Sequence, residues 1–207
     1  KYIVSDASIR YAFVGEQYQY DTAYRVLKLS HQLSKLIIFD PTVEKDSQDQ
    51  VSLYFHEFLK LGESFRHQAE VDSRTADYDQ DDLANILYTS GTTGLSKGVM
   101  MTHRMYRAAL AAHEHAVPLS DKDVIMDFLP FTHVFERAWS YLCLATGCTL
   151  AVNQHPAEIL RSMQEVHPTC MCAVPRFWEK VYAGVQERIA TSSPIQRKLL
   201  LDALKVG

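Results

Sequence analysis

The sequence has no excess of positive charge, no long hydrophobic run and no internal repeat. Its 207 residues include 21 basic and 25 acidic side chains, for a net charge of −4, so no extended positive surface is available for nucleic acid. The longest nearly apolar stretch, residues 141–152, is interrupted by polar residues and is too short to cross a bilayer. These absences argue against nucleic-acid binding and against a membrane span within that stretch.

Cysteine is scarce, and its spacing does not fit a metal site. The C-x-C pair at Cys170 and Cys172 has no second close pair, which zinc sites of this kind require. Apolar surroundings instead predict buried, reduced thiols, and these favour a cytoplasmic location. The cysteines are Cys143, Cys148, Cys170 and Cys172.

Strand-like runs alternate with helical patterns through most of the chain. This βαβ rhythm predicts an α/β fold with a largely parallel sheet and flanking helices. The acidic stretch 72–82 has little to bury and is predicted to be a loop. Strands are predicted at 11–15, 36–39, 82–88, 124–129, 148–152 and 169–174, and helices at 22–33, 51–61, 102–115, 133–145 and 156–166, with a further helix opening at Pro175.

Residues 88–98 have the composition of a phosphate-binding loop, Tyr-Thr-Ser-Gly-Thr-Thr-Gly-Leu-Ser-Lys-Gly. Glycines allow backbone N–H groups to approach an anion, hydroxyls add donors, and a lysine adds charge. A strand-like run precedes the loop and an apolar, helix-forming run follows it. The loop is not a Walker A motif, because Ser96 stands where the second glycine should be. The predicted phosphate ligands are Thr89, Ser90, Gly91, Thr92, Thr93, Gly94 and Lys97.

A second candidate segment lies at residues 127–139, where Pro130 ends a predicted strand and brings His133 and Glu136 to the start of a helix. Such a position can face a ligand cleft. Taken alone, the segment has a structural explanation as well: a hydrogen-bonded histidine, a local ion pair between Glu136 and Arg137, and a core position for Trp139.

The two segments together resemble the adenylate-forming acyl-CoA synthetase superfamily. Its pattern Y-[TS]-S-G-T-T-G-x-P-K-G-V matches residues 88–99, with Ser96 in place of proline, a change that we expect to loosen the loop without removing a phosphate ligand. Residues 129–137, in the form L-P-x-x-H-V-F-E-R, are similar to the long-chain fatty acyl-CoA synthetase branch. The resemblance extends over residues 81–207, whereas residues 1–80 share only the general pattern.

The resemblance implies that residues 1–207 form part of the AMP-binding N-terminal domain of a protein that extends at both ends. That enzyme would activate a long-chain fatty acid with ATP and Mg²⁺ and pass the acyl group to coenzyme A. The loop from Thr89 to Lys97 would hold the ATP phosphates, and Thr89 would also ligate magnesium. His133 would be catalytic at the acyl carboxylate, with Glu136 and Trp139 beside the fatty acid. Peripheral contact with a membrane is compatible with such substrates.

Parts of the family's machinery are not found in this sequence, namely a Y-G-x-T-E segment and the small C-terminal domain with its catalytic lysine. We therefore expect the chain by itself to be inactive. Two alternatives stay open. A sister adenylating enzyme for aryl, short-chain or amino acids shares the phosphate loop and differs after His133. A non-catalytic binding module would keep the fold, although the intact Lys97 and His133 argue against it.

Overall fold

The computed structural model describes residues 1–91 and 94–206, and the chain divides into two compact units. The first unit is Lys1–Met105 and the second is Tyr106–Gly207. Each unit contains a parallel sheet with helices around it, so the predicted α/β class is confirmed.

The first unit is built on three parallel strands in the order β1-β2-β3. Residues Leu36, Ile37 and Ile38 of the central strand are almost fully buried, as expected for a strand covered on both faces. Val14 of β1 and Tyr20 of α2 pack in the same core cluster as Leu36 and Ile38. The elements are α1 (Tyr2–Asp6), β1 (Tyr11–Val14), α2 (Gln17–Leu29), β2 (Lys35–Ile38), β3 (Leu53–Tyr54), α3 (Phe55–Glu63), α4 (Gln68–Ala76), β4 (Leu83–Thr89) and β5 (Lys97–Thr102).

Strands β4 and β5 form a separate antiparallel pair. The helix-forming run predicted directly after the phosphate loop is therefore wrong at Lys97–Thr102, which is a strand. The physical reason is pairing: Val99, Met100 and Met101 lie opposite Leu87, Ile86 and Asn85, and cross-strand contacts override the weak helical preference of methionine. The candidate phosphate loop is thus the connection of a β-hairpin.

The acidic stretch is only partly a loop. Helix α4 extends to Ala76, so the predicted loop at 72–82 is wrong for its first residues. Side-chain pairs four residues apart stabilise this helix: Gln68 donates a hydrogen bond to Asp72, and Arg74 forms an ion pair with Glu70 on the exposed surface. The remaining part leads into β4.

The second unit has a parallel sheet in the order β7-β6-β8, with β6 in the centre. Ile125 and Met126 of β6 are buried, and Ile125 packs with Leu142 and Cys143 of α6. The elements are α5 (His103–Ala116), which begins in the first unit, β6 (Val124–Asp127), α6 (Val134–Thr146), β7 (Thr149–Val152), a 3₁₀ turn (Pro156–Glu158), α7 (Ile159–Val166), β8 (Cys170–Met171), α8 (Pro175–Thr191) and α9 (Pro194–Val206).

The four cysteines are free, and Cys143 and Cys172 are buried. Burial raises the pKa of the Cys143 thiol to about 11 and that of Cys172 to about 12, so both are weak nucleophiles at neutral pH. Within residues 1–91 and 94–206, no group of three His, Cys, Asp or Glu side chains is placed to hold a metal ion. None of the helices described there is long and apolar enough to cross a membrane.

Candidate functional site

The hairpin of the first unit brings the candidate phosphate ligands into one place. Strand β4 ends at Thr89, which lies opposite Lys97, the first residue of β5. Ser90 and Gly91 follow Thr89, and the amide of Gly94 donates to the carbonyl of Gly91 at 3.3 Å. Thr92 and Thr93, also predicted as ligands, lie outside the described residues.

Glycine is required in this hairpin for two different reasons. A Cβ at Gly91 would lie 2.4 Å from the carbonyl oxygen of Leu95, so the backbone passes too close to itself for any side chain there. Gly94 instead has φ +89°, in the region that glycine adopts at little cost, and its hydrogen side faces open space. The connection can therefore turn tightly while leaving room for a ligand.

The charge of the hairpin suits an anion. Lys97 is exposed, and no carboxylate in the described parts of the chain forms an ion pair with it. Thr89 and Ser90 are exposed as well, and residues 88–98 contain no acidic side chain. Hydroxyl donors and an uncompensated cation at a glycine-rich turn are the groups that bind phosphate oxygens. The residues present therefore fit the triphosphate that the resemblance implies.

Tyr88 anchors the base of the hairpin to the rest of the first unit. Its hydroxyl donates to Oδ2 of Asp6 at 2.6 Å, and this hydrogen bond raises the pKa of Tyr88 to about 12. Its ring covers Gly98 on the opposite strand, where a Cβ would lie 3.1 Å from Cζ. Sequence reasoning missed this contact because the two partners are 82 residues apart.

In the second unit, β6 ends at Asp127 and a short turn leads into α6. His133 is the N-cap of that helix, at the helix start predicted from the position of Pro130. Its Nδ1 accepts a hydrogen bond from the amide of Phe135 at 3.3 Å, while its own amide donates to the Pro130 carbonyl at 2.9 Å. The His133 ring is exposed and is therefore free to meet a ligand with its outer edge.

Glu136 lies on the same helix turn and is completely buried. Its Oε1 accepts from the backbone N–H of Phe128 at 2.8 Å and of Leu129 at 3.0 Å. Burial raises the pKa of this carboxyl, although the two amides act in the opposite direction. The predicted contact of Glu136 with a substrate stays a prediction; in the structure its Oε1 binds two backbone amides.

The alternative of a local ion pair between Glu136 and Arg137 is wrong. The guanidinium of Arg137 donates to the carbonyl oxygen of Phe131 instead, at 3.2 Å from Nε and 3.0 Å from one terminal nitrogen. Glu136 and Arg137 therefore contact the same preceding turn through its amides and through a carbonyl, respectively.

Asp127 is a buried acid that sequence reasoning missed. Ser140 Oγ lies 2.5 Å from its Oδ2 and 2.8 Å from the Glu136 carbonyl oxygen. A hydroxyl carries one proton, so it donates to only one of two acceptors. Burial raises the pKa of Asp127, whereas the hydrogen bond from Ser140 acts in the opposite direction.

Trp139 is 7% exposed, and its indole packs with Ile125, Leu142 and Cys172 in the core of the second unit. This position matches the structural explanation that the sequence offered. Contact of Trp139 with a fatty acid stays a prediction.

Comparison with known proteins gives a consistent answer. A model of the AMP-binding enzyme family matches residues 1–205. Long chain acyl-CoA synthetase 5 of Arabidopsis thaliana is 28% identical over 211 residues, which are 96% of this chain and 31% of the relative. A chloroplastic long-chain-fatty-acid–[acyl-carrier-protein] ligase of the same plant is 32% identical over 76% of this chain and 22% of its own length. The chain spans about a third of the length of the long chain acyl-CoA synthetases that it matches over 96–99% of its own length.

Solved structures share the fold. A red-emitting luciferase from Phrixothrix hirtus superposes with a TM-score of 0.63 at 18% identity, over 84% of this chain and 33% of that chain. ATP-bound MatB from Rhodopseudomonas palustris gives 0.59 at 21% identity, over 86% and 32%. The fold likeness and the family match over nearly the whole chain agree with the glycine-rich hairpin and its exposed lysine: the chain belongs to the AMP-binding enzyme family.

Proposed function

We propose that this chain is the phosphate-binding part of an ATP-dependent long-chain fatty acid:CoA ligase, which forms an acyl-adenylate and then acyl-CoA. The observation that carries the proposal is Lys97, an exposed cation without a carboxylate partner among the described residues, opposite Thr89 at the mouth of the hairpin. Such a site is suited to bind a ligand with several negative charges.

ATP supplies the phosphorus that the fatty-acid carboxylate attacks and the pyrophosphate that leaves. In the proposal, Lys97 and the amides near Gly91 and Gly94 hold the β- and γ-phosphates and neutralise charge on the departing group. The exposed hydroxyl of Thr89 is one ligand of Mg²⁺, which prefers oxygen. The hydroxyl of Ser90 is a further phosphate donor, and Thr92 and Thr93 are proposed with it from the sequence.

The long-chain acid is proposed from the segment after β6. Residues 129–137 carry the complete form that resembles the long-chain branch, and the curated relatives include several long chain acyl-CoA synthetases. The exposed ring of His133 faces the carboxylate of the acid in this proposal. Coenzyme A is proposed as the acyl acceptor from the same relatives.

A second candidate differs in the acid or in the acceptor. The relative that acts with an acyl-carrier protein and the MatB and luciferase structures support an adenylating enzyme of another specificity on the same fold. Because the hairpin is common to such enzymes in the resemblance, only the substrate profile separates the candidates. A non-catalytic module is the third candidate.

Acid-dependent pyrophosphate release tests the proposal in the full reading frame that encodes this chain. Palmitate, acetate and benzoate are compared at saturating ATP and Mg²⁺, followed by coenzyme A and acyl-carrier protein as acceptors. We expect palmitate to be preferred and coenzyme A to be acylated. A preference for acetate or benzoate moves the assignment to a sister enzyme, and no release with any acid from folded protein favours the non-catalytic module.

The cytoplasmic location and peripheral membrane contact are part of the same proposal. Four free cysteines, two of them buried, support a reducing compartment. Fractionation of cells that express the full reading frame, with and without a wash at high salt, checks both statements.

A further inference from the structure

Three residues at the start of α6 hold the turn between β6 and α6 through contacts with its backbone. The Glu136 carboxylate accepts from the amides of Phe128 and Leu129, the Arg137 guanidinium donates to the Phe131 carbonyl, and the His133 amide donates to the Pro130 carbonyl. We call Glu136 and Arg137 with these contacts the turn clamp. Nearly every residue between the strand and His133 is thus attached to the helix that follows.

The amides that Glu136 binds lie just beyond the last residue of β6, Asp127. Past the end of the strand, the sheet no longer supplies a regular partner for the backbone, and a buried amide without an acceptor costs free energy. One carboxylate oxygen at 2.8 and 3.0 Å from two successive amides fixes both peptide planes at once. This contact therefore restrains the direction in which the chain leaves the sheet.

Burial of a glutamate at this position is energetically unfavourable if the side chain serves only for packing. The residue is 0% exposed, its second oxygen has no hydrogen-bond partner in the described part of the chain, and a buried acid is less favourable than an apolar side chain of similar volume. The ring of Phe128, at 5.0 Å from that of Phe177 on α8, already packs the start of the turn. The carboxylate therefore fixes the geometry of the backbone and does not serve for packing alone.

We propose that Glu136 and Arg137 are positioning residues, which fix the turn 128–133 so that the His133 ring is presented at the acid-binding side of the enzyme. This inference rests on the proposed function, because the ring needs a carboxylate substrate to contact. Neither side chain of the clamp touches the substrate in this arrangement, and both act through His133.

The test compares Glu136→Ala and Glu136→Gln with wild type in the full reading frame, with Glu165→Ala as the matched control. Glu165 is an exposed glutamate of α7 in an ion pair with Arg161, and it makes none of the contacts of the turn clamp. Two readouts are taken: hydrogen exchange of the peptide that contains the Phe128 and Leu129 amides, and palmitate-dependent pyrophosphate release at saturating ATP.

For Glu136→Ala we expect exchange at the two amides to rise about tenfold or more, because their acceptor is lost. The value of kcat/KM for palmitate should fall about a hundredfold, the effect of a small misplacement of a reacting geometry. The KM for ATP should change less than about threefold, since the hairpin is untouched. Glu136→Gln keeps Oε1 as acceptor and should retain activity within about tenfold of wild type, and Glu165→Ala should match wild type in both readouts.

Unchanged exchange in Glu136→Ala, or a loss in Glu136→Gln as large as in Glu136→Ala, overturns the proposal. An equal rise in the KM for ATP and for palmitate also overturns it, because a general loss of structure would then explain the result. If wild type releases no pyrophosphate with any acid, the proposed function has failed, and the exchange readout then decides by itself whether the turn clamp exists.

Discussion

The hairpin at 88–98 and the turn at 128–137 are the two candidate parts of the site, and they are built in opposite ways. The hairpin consists of backbone, glycines and exposed polar side chains, with a lysine that has no carboxylate partner among the described residues. The turn is held from inside, by a glutamate that is completely buried. In the hairpin the groups that would bind are separate from those that stabilise, whereas in the turn the same helix end does both.

This difference predicts where function and stability separate. Binding groups that face solvent can be removed without leaving a buried partner unsatisfied, but a buried acid cannot. The following predictions test that contrast, beginning with the largest effect.

Removal of the Lys97 charge should abolish most activity and leave stability unchanged. We expect Lys97→Ala to lower acid-dependent pyrophosphate release by about 10²–10³-fold, the usual loss when one charge-stabilising donor is removed. Its free energy of unfolding should stay within about 0.5 kcal/mol of wild type, since Lys97 is exposed and unpaired among the described residues. Release kinetics and urea unfolding check the two parts, with the exposed Lys122→Ala as control. A destabilised Lys97→Ala would contradict the separation.

A methyl group at Gly98 should disturb the hairpin itself. An added Cβ would lie 2.8 Å from Cγ2 of Ile86 and 3.1 Å from the Tyr88 ring, so we expect Gly98→Ala to destabilise the first unit by about 1–3 kcal/mol. Hydrogen exchange of the β4 and β5 amides measures the loss. The same substitution in an Ile86→Ala background should cost less, because the nearest atom is gone. An equal cost in both backgrounds would show that the clash is not the cause.

Substitution of two other glycines by alanine should change the free energy of unfolding in opposite directions. Gly94 has φ +89°, so Gly94→Ala should destabilise by about 1–2 kcal/mol even though the space around it is open. Gly184 lies inside helix α8 with no atom near its missing Cβ, so Gly184→Ala should stabilise by about 0.5–1 kcal/mol. Thermal unfolding of both variants beside wild type gives the answer. The same sign for both would falsify the assignment of strain to Gly94.

The smallest effects are expected in the pH dependence of the second unit. Burial raises the pKa of Asp127, so the folded state holds its proton longer and the stability from this group is lost as pH rises above about 4. Asp123, at the other end of β6, has its pKa lowered by hydrogen bonds from Ser120 and Thr169, and the stability that it supplies is lost as pH falls below about 4.

Asp127→Asn and Asp123→Asn therefore form a matched pair. Relative to Asp127→Asn, wild type should become less stable as pH rises above about 4; relative to Asp123→Asn, it should become less stable as pH falls below about 4. Urea unfolding followed by tryptophan fluorescence reports on this unit, because Trp139 and Trp178 are the two tryptophans of the chain. Parallel pH profiles for the two variants would contradict the opposite pKa shifts.

The two candidate segments could be predicted from the sequence because both depend on local composition. Glycine and hydroxyl residues around Lys97 are typical of a phosphate loop, and Pro130 at the end of a strand indicates that a new element starts after it. The predicted helix start near His133 is confirmed by the structure, where His133 is the N-cap. What composition could not give is the strand after the loop, since the Val-Met-Met run becomes β only through pairing with β4.

The contacts that hold the segments were missed for a different reason. Tyr88 and Asp6 meet only after the first unit has folded, and Asp127 and Ser140 are 13 residues apart across a turn and a helix. Glu136 was identified, but its depth was not, because a glutamate beside an arginine is usually exposed. Burial of a charged residue is a property of packing, and no pattern in one sequence reveals it.

The cap at the start of α6 has one more consequence, which concerns protons. Because Nδ1 of His133 accepts from the Phe135 amide, the neutral imidazole must carry its hydrogen on Nε2. The outer edge of the ring is then a donor and offers no lone pair, so it can hold the oxygen of a carboxylate but cannot remove a proton from a thiol or an alcohol there. A helix cap thereby selects the tautomer and, with it, the kind of group that this histidine can meet.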